Sequence, residues 1–157
     1  AMIFAIIIGA EVFSNFISYA GVPDALLEFV QSLDVNAYVV ILVLVLIYVI
    51  LGAVLESLSM ILLTVPVFFP LVTSLDFGTG ALSDPEMVLI WFGIIVVVVT
   101  EISLISPPIG LNVFVLRSVL TDVPLRTMFA GILPFWAADI LRLGLLIAVP
   151  ALSLALI

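Results

Sequence analysis

Histidine, cysteine and lysine are absent from this chain of 157 residues, and the only basic side chains are three arginines. Without imidazole, thiol or primary amine side chains, it cannot build a His or Cys metal site, a Ser-His-Asp or Cys-His nucleophile, a Schiff base or a disulfide. Most enzyme classes are therefore excluded. With eleven acidic residues and a net charge of −8, a nucleic-acid surface and a polybasic lipid-binding patch are excluded as well.

Charge of either sign is scarce: only 9% of residues are charged and 66% are hydrophobic. The mean hydropathy is +1.59, whereas a soluble domain keeps about a quarter of its residues charged. Apolar runs of about 20 residues are typical of membrane helices, so we expect an all-α membrane protein. The first residues lack the basic region of a signal peptide, and we expect the chain to be one part of a larger membrane domain.

Charged residues, prolines and glycines divide the chain into segments. Residues 1–20 are predicted to form a transmembrane helix, in which Glu11, Ser14 and Asn15 lie near one stripe that can face protein. Residues 21–34 have the pattern of a short amphipathic helix. We expect this second helix to lie in the interface as an arm.

Residues 35–75 hold two uncharged apolar runs separated by LGAVLES. They are either two full spans joined by a turn or the arms of a re-entrant hairpin with its tip near residues 52–59. A loop in water normally carries several polar or turn-forming residues. The few polar residues in this connection favour a hairpin whose tip is buried in protein at membrane depth.

The second half of the chain begins with a polar segment. Residues 76–86 are predicted to be an external loop, and residues 87–120 a discontinuous transmembrane helix broken at 103–109. Residues 121–157 are expected to form the C-terminal transmembrane helix. Two arginines bracket the short turn before this helix, which the positive-inside rule places in the cytoplasm.

The break contains Pro107 and Pro108, which have no N–H, so the carbonyls of Ser103 and Leu104 are expected to lose their helical donors. One interpretation is an ordinary proline kink repaired by neighbouring helices. The other is a binding site, because released carbonyl oxygens suit a cation and the half-helix that follows presents its positive end to an anion. Gly110 would let another backbone approach. Polar side chains expected to converge here are Thr100, Glu101, Ser103, Ser106 and Asn112.

Two acids, Glu56 and Glu101, fall within apolar segments. Such a carboxylate either caps a half-helix or tunes an ion or substrate path; capping is favoured for Glu56, and both interpretations stay open for Glu101. Asp139 and Arg142 are three positions apart and are expected to form a structural pair. Aromatic residues expected to serve at interfaces or in packing are Tyr38, Trp91 and Trp136.

The segments LGAVLESLSMILLTVPVFFPLV and ISPPIGLNVFV, preceded by NFISYAGVPDALLEFV, resemble the C-terminal half of the large membrane subunit of tripartite ATP-independent periplasmic (TRAP) transporters, the DctM-like permease. The family pattern is Gly-x-x-x-Asp/Glu with a Pro-x-x-x-Pro arm, then Gly-x-x-Thr-Pro-Pro-x-Gly-Leu-Asn. Ser103 stands where the family has Gly, and Ser106 replaces Thr but keeps a hydroxyl. The other matching positions are Gly52, Glu56, Pro66, Pro70, Pro107, Pro108, Gly110, Leu111 and Asn112.

This resemblance implies the second inverted repeat of an elevator-type ion-transporter fold, with a re-entrant helical hairpin and a broken transmembrane helix. It implies a multi-pass protein of the bacterial inner membrane that uses sodium to import a small organic anion, such as a C4-dicarboxylate or sialic acid. The coupling sodium, and no other metal, is expected at Gly52, Ser103, Ser106 and Ile109, and the substrate at Ser57 and Asn112.

The resemblance also implies two partner proteins: a small four-helix, DctQ-like membrane subunit and a periplasmic binding protein that delivers the substrate. An alternative is another symporter or exporter of the ion-transporter superfamily that needs no binding protein. An intramembrane aspartyl enzyme is disfavoured, because the Gly-x-Gly-Asp signature is absent. An inert anchor would not explain a break at Pro107 and Pro108.

Overall fold

A computed structural model of the chain describes residues 2–106 and 110–155, and this part consists of helices and short connections. Pro107, Pro108 and Ile109, on which part of the predicted break falls, lie outside the described residues. The helices are α1 (Met2–Tyr19), α2 (Val22–Ser32), α3 (Ala37–Gly52), α4 (Ser57–Thr73), α5 (Pro85–Ile105), α6 (Leu111–Val119), α7 (Leu125–Ala148) and α8 (Ala151–Leu154).

Three of the helices whose N-cap residue is described begin at a side-chain cap. The carboxylate of Glu56 accepts hydrogen bonds from the backbone N–H groups of Leu58 and Ser59, both at 3.1 Å, and so caps the start of α4. Asn36 and Asp84 cap α3 and α5 in the same way. Each cap satisfies an N–H group that has no intrahelical partner. The capping role predicted for Glu56 is therefore confirmed.

Helices α5 and α7 are each long and apolar enough to cross a bilayer. Helices α1 and α2 meet this criterion together, across a bend of 56°. The apolar helices α3 and α4 contain 16 and 17 residues. At about 1.5 Å per residue, each is shorter than a hydrocarbon layer about 30 Å thick. These lengths fit the arms of a re-entrant hairpin, which stays a prediction.

Part of the polar stripe predicted on α1 lies beside α4. Glu11 and Ser14 line a cavity of about 230 Å³ together with Leu62 and Pro66 of α4. The amide of Asn15 donates to the backbone oxygen of Glu11 at 2.9 Å, one turn back in the same helix. Ser14 is half-buried, whereas Glu11 and Asn15 are exposed, so the expectation that this stripe faces protein is confirmed for Ser14 and not for the other two residues.

The core is built around α5, which packs against α3, α4 and α7. A buried polar contact joins α3 to α4 inside it. Thr64 Oγ1 donates its one proton to the Met60 carbonyl at 2.7 Å, so the hydroxyl of Tyr48 must be the donor in its 2.7 Å bond to Thr64. Fully buried residues of α5 include Trp91, Phe92, Ile95, Val99 and Ile102.

The C-terminal helix is interrupted, contrary to the prediction of one helix over residues 121–157. Pro150 has no N–H and disfavours helical backbone at the residue before it. Accordingly, α7 ends at Ala148 and Val149 leaves the helical region with ψ at 77°. The carbonyl of Leu146 loses the donor that residue 150 would supply, and Trp91 of α5 replaces it, since its Nε1 donates to that oxygen at 2.9 Å.

Replacing Trp91 with phenylalanine removes this donor and leaves a carbonyl oxygen unpaired in an apolar environment. We expect Trp91→Phe to lower the free energy of unfolding by about 1–3 kcal/mol. The measurement is the thermal unfolding midpoint of the purified membrane protein that contains this chain.

A Pro150→Ala background provides the control, because an alanine at position 150 has the N–H that the Leu146 carbonyl lacks. Trp91→Phe should therefore be less destabilising in that background than in the wild type. Equal losses in both backgrounds would show that packing of the indole ring, and not its hydrogen bond, connects α5 to α7.

Candidate functional site

The end of α3 packs directly against the end of α5. Gly52, the last residue of α3, is buried, and a Cβ added to it would overlap Ser103 Oγ and lie 2.6 Å from Ser103 Cβ. The side chain of Met60, at the start of α4, reaches within 3.4 Å of the same point. Only glycine allows this approach, so the connection between α3 and α4 fits closely against Ser103.

The end of α5 adjusts its hydrogen bonds to the prolines that follow. The prediction that the Ser103 carbonyl has no donor is wrong, because the Ser106 N–H donates to it at 3.2 Å. The Ile102 carbonyl, which a regular helix would pair with that N–H, instead accepts from Ser106 Oγ at 2.8 Å. Ser106 thus satisfies two carbonyls, and its extended backbone, with ψ at 131°, is typical of a residue before proline.

Two side chains of α7 contact the residues on either side of the break. Trp136 Nε1 donates to Ser106 Oγ at 2.8 Å. Gly110, the N-cap of α6, has a positive φ of 46°, and a Cβ there would lie 3.3 Å from both Phe129 Cε1 and the Ser106 carbonyl oxygen. Glycine is required at this position both by its backbone conformation and by the space around it.

The helix ends around Gly52 and Ser103 favour a cation. Helices α3 and α5 both end here, and each C-terminus carries a partial negative charge of about half an elementary unit. The Leu51 carbonyl accepts from the N–H groups of Val54 and Leu55, whereas none of the described groups donates to the Gly52 carbonyl. The opposing positive end of α4 is capped by the carboxylate of Glu56. Carbonyl and hydroxyl oxygens at such a point are the ligands that a hard monovalent cation uses.

The start of α6 favours an anion. Its N-cap, Gly110, has no side chain that could accept a hydrogen bond. The first N–H groups of α6 therefore lack the side-chain cap that α3, α4 and α5 have. A helix N-terminus of this kind stabilises a carboxylate. Asn112 lies in the first turn of α6 and is exposed.

The structure brings together three of the four residues predicted to bind sodium. Gly52 contacts Ser103, and Ser103 is bonded to Ser106; Ile109 lies outside the described residues. Of the two predicted substrate residues, Ser57 begins α4 and is half-buried, and Asn112 begins α6.

The other side chains expected at the break are placed differently. Thr100 is buried, but its hydroxyl donates at 2.6 Å to Val96, one turn back in the same helix. Ser103 and Ser106 therefore lie together, and the Thr100 carbonyl accepts from Ser103 Oγ at 2.6 Å. Glu101 and Asn112 are exposed, and the described residues show no hydrogen bond from either to the two serines.

The sequence interpretation missed the contact of Trp136 with the break. Tryptophan in membrane proteins is typical of the interface, near helix ends, whereas Trp136 lies near the middle of α7. Because a buried indole N–H requires an acceptor, a mid-helix tryptophan could have indicated a polar partner. Its expected packing role is confirmed, since Trp136 also packs against the core. The predicted pair of Asp139 and Arg142 is confirmed at 3.2 Å.

Comparison with known proteins identifies the family. The family model of the DctM component of the tripartite ATP-independent periplasmic transporter matches residues 1–152. The chain belongs to this DctM family. It is 34% identical, over 99% of its length, to the C4-dicarboxylate TRAP transporter large permease protein DctM of Pseudomonas aeruginosa. It is 30% identical over 99% to the protein of the same name from Rhodobacter capsulatus.

A more distant DctM-family relative is the sialic acid TRAP transporter large permease protein SiaM of Vibrio cholerae, 26% identical over 99% of the chain. The chain covers 34%, 33% and 34% of these three relatives, and so spans about a third of their length. No solved structure matches the chain.

The contact of Gly52 with Ser103 predicts how substitutions in this DctM-family chain behave. We expect Gly52→Ala to lower the free energy of unfolding by about 1–3 kcal/mol, because the added methyl group forces the helix ends apart. The measurement is the thermal unfolding midpoint of the purified full-length permease.

Two further variants isolate this contact. Ser103→Gly removes the two atoms that the added methyl group would overlap and leaves Met60 Cε at 3.4 Å, an ordinary contact, so the double variant should recover most of the loss. Gly93→Ala is the matched control in α5, because a Cβ there meets nothing within 4 Å. If Ser103→Gly brings no recovery in the Gly52→Ala background, the proposed close contact is wrong.

Proposed function

We propose that this chain forms the sodium- and substrate-binding part of a secondary transporter that imports a small organic anion. The observation that carries the proposal is the contact of Gly52 with Ser103, where the C-terminal ends of α3 and α5 meet. The DctM family supplies the context of a TRAP permease. The activity proposed is that of the complete protein, of which this chain is a part.

The cation site consists of neutral oxygens. Candidate ligands are the carbonyl of Gly52 and the carbonyls and hydroxyls of Ser103 and Ser106; a carbonyl that accepts one hydrogen bond keeps a second lone pair. Ser103 and Ser106 are 0% and 3% exposed. Dehydrated sodium is held by such oxygens in transporters whose helices are broken at membrane depth. We expect Ile109 to contribute as well, as the family resemblance implies.

The anion site lies on the other side of the break. The uncapped start of α6 offers N–H groups and Asn112 to a carboxylate, and Ser57 at the start of α4 offers a hydroxyl. A bound cation near Ser106 would add electrostatic attraction for the same anion. We propose a carboxylate such as a C4-dicarboxylate or sialic acid, which are the substrates in the names of the relatives.

We propose that the complete transporter lies in the bacterial inner membrane and works with two partners. A periplasmic binding protein delivers the substrate, and a small membrane subunit supports the permease. The substrate crosses by an elevator movement in which the hairpin of α3 and α4 travels with the broken helix of α5 and α6. The close packing of Gly52 on Ser103 supports joint movement of these elements, because the two helix ends cannot separate without exposing buried polar groups.

Uptake should therefore require sodium and be weakened by loss of a ligand oxygen. We expect Ser106→Ala to raise the sodium concentration for half-maximal uptake by about tenfold or more, since an unpaired polar partner costs about 1–3 kcal/mol. Maximal uptake should recover at high sodium. The measurement is uptake of radiolabelled substrate into proteoliposomes that contain the complete permease, its small subunit and the loaded binding protein.

The matched control is Ser118→Ala in α6, because that exposed serine also bonds to a carbonyl of its own helix, Val115, but lies away from the break. It should leave the sodium dependence unchanged. Full uptake in potassium with only a proton gradient would reject sodium coupling. A wild-type sodium dependence for Ser106→Ala would reject the assignment of this serine.

A further inference from the structure

The hydroxyl of Ser106 makes two hydrogen bonds within the protein. Its proton is donated to the Ile102 carbonyl at 2.8 Å, and one of its two lone pairs accepts from Trp136 Nε1 at 2.8 Å. A serine hydroxyl has one proton and two lone pairs. Among the described residues nothing occupies the second lone pair, and its direction is fixed because the other two positions are occupied.

Trp136 is held in place by its own helix and by the core. It is half-buried in α7 and packs against the buried cluster around α5. Phe129 lies about two turns earlier on α7, which places it on the same side of the helix. Its Cε1 lies 3.3 Å from the point that a Cβ of Gly110 would occupy. Helix α7 thus contacts both Ser106, the last described residue before Pro107, and Gly110, the first described residue after it.

We infer that Trp136 is a positioning residue for the cation ligand Ser106: its indole N–H occupies one lone pair and fixes the direction of the one that Ser106 offers. This inference rests on the proposed sodium site. Trp136 does not touch the cation in this arrangement. Its contribution is preorganisation, because a ligand oxygen already held in position binds without further loss of freedom.

The two tryptophans of the chain allow this role to be separated from ordinary structural support. Both donate an indole N–H from one member of the α5–α7 pair to the other. Trp91 bonds to the Leu146 carbonyl, far along the helices from the break, and Trp136 bonds to Ser106. If both tryptophans only join the helices, removing either donor should have the same kind of effect on transport.

The experiment measures sodium-dependent uptake by the complete transporter in proteoliposomes. We expect Trp136→Phe to raise the sodium concentration for half-maximal uptake by about threefold to tenfold, with maximal uptake at saturating sodium within about a factor of two of the wild type. Trp91→Phe, the matched control, should leave the half-saturating concentration unchanged although it lowers stability.

A second variant replaces Trp136 by β-(3-benzothienyl)alanine, in which sulfur stands in place of the indole N–H and the ring shape is kept. This variant should raise the sodium concentration for half-maximal uptake by the same factor. It replaces Trp136→Phe in the test if that variant fails to assemble. In a Ser106→Ala background, loss of the indole donor should have no further effect, because the oxygen it positions is gone.

The outcomes separate this inference from the proposed function. If wild-type uptake does not depend on sodium, the proposed function fails. If it does, and the benzothienylalanine variant has wild-type sodium dependence, then only the positioning role is wrong. A lower half-saturating concentration would also overturn the inference, because it would mean that the indole competes with the cation for Ser106. Additive effects of the Ser106 and Trp136 changes would show that they act independently.

Discussion

Backbone carbonyls that lose their donors to proline set the arrangement of this chain. In hydrocarbon there is no water to replace a missing N–H, and an unpaired backbone group costs several kcal/mol. The protein meets this requirement in two ways, with a side chain from another helix and with donors of the residue that precedes the proline. Pro150 deprives the Leu146 carbonyl of a donor and Trp91 supplies one. At the other end of α5, Ser106 supplies two donors to the carbonyls before Pro107.

The hydrogen bonds of the two tryptophans also connect helices to one another. Each indole bond joins α5 to α7, so the two helices are connected both near the end of α7 and beside the break. Helix α5 then presents its remaining surface to α3 and α4, where Tyr48 and Thr64 hold the two arms to each other. Helix α5, which carries Ser103, is therefore held by α7 on one side and by α3 and α4 on the other, and Gly52 packs closely against Ser103 in this arrangement.

The sequence predicted the local features of this arrangement well. Capping by Glu56 and the pair of Asp139 and Arg142 depend on residues two or three positions apart, and helical geometry alone specifies them. The family pattern brought Gly52, Ser103 and Ser106 to one site. The bond from Trp136 to Ser106 was not predictable in this way, because the two residues are 30 positions apart and belong to different helices. The donor of the Ser103 carbonyl was missed because Ser106 leaves the regular hydrogen-bond pattern before proline.

The hydroxyls of Ser103 and Ser106 both donate to backbone carbonyls of α5. Ser103 donates its hydroxyl proton to the Thr100 carbonyl at 2.6 Å, and Ser106 donates its proton to Ile102. Neither hydroxyl has a proton left, so both can act toward a ligand only as acceptors. A carboxylate gains nothing from such oxygens and is repelled by them, whereas the N–H groups at the start of α6 attract it. The break therefore has acceptor oxygens on one side and N–H donors on the other, and the carboxylate that we propose as substrate would bind on the side of α6.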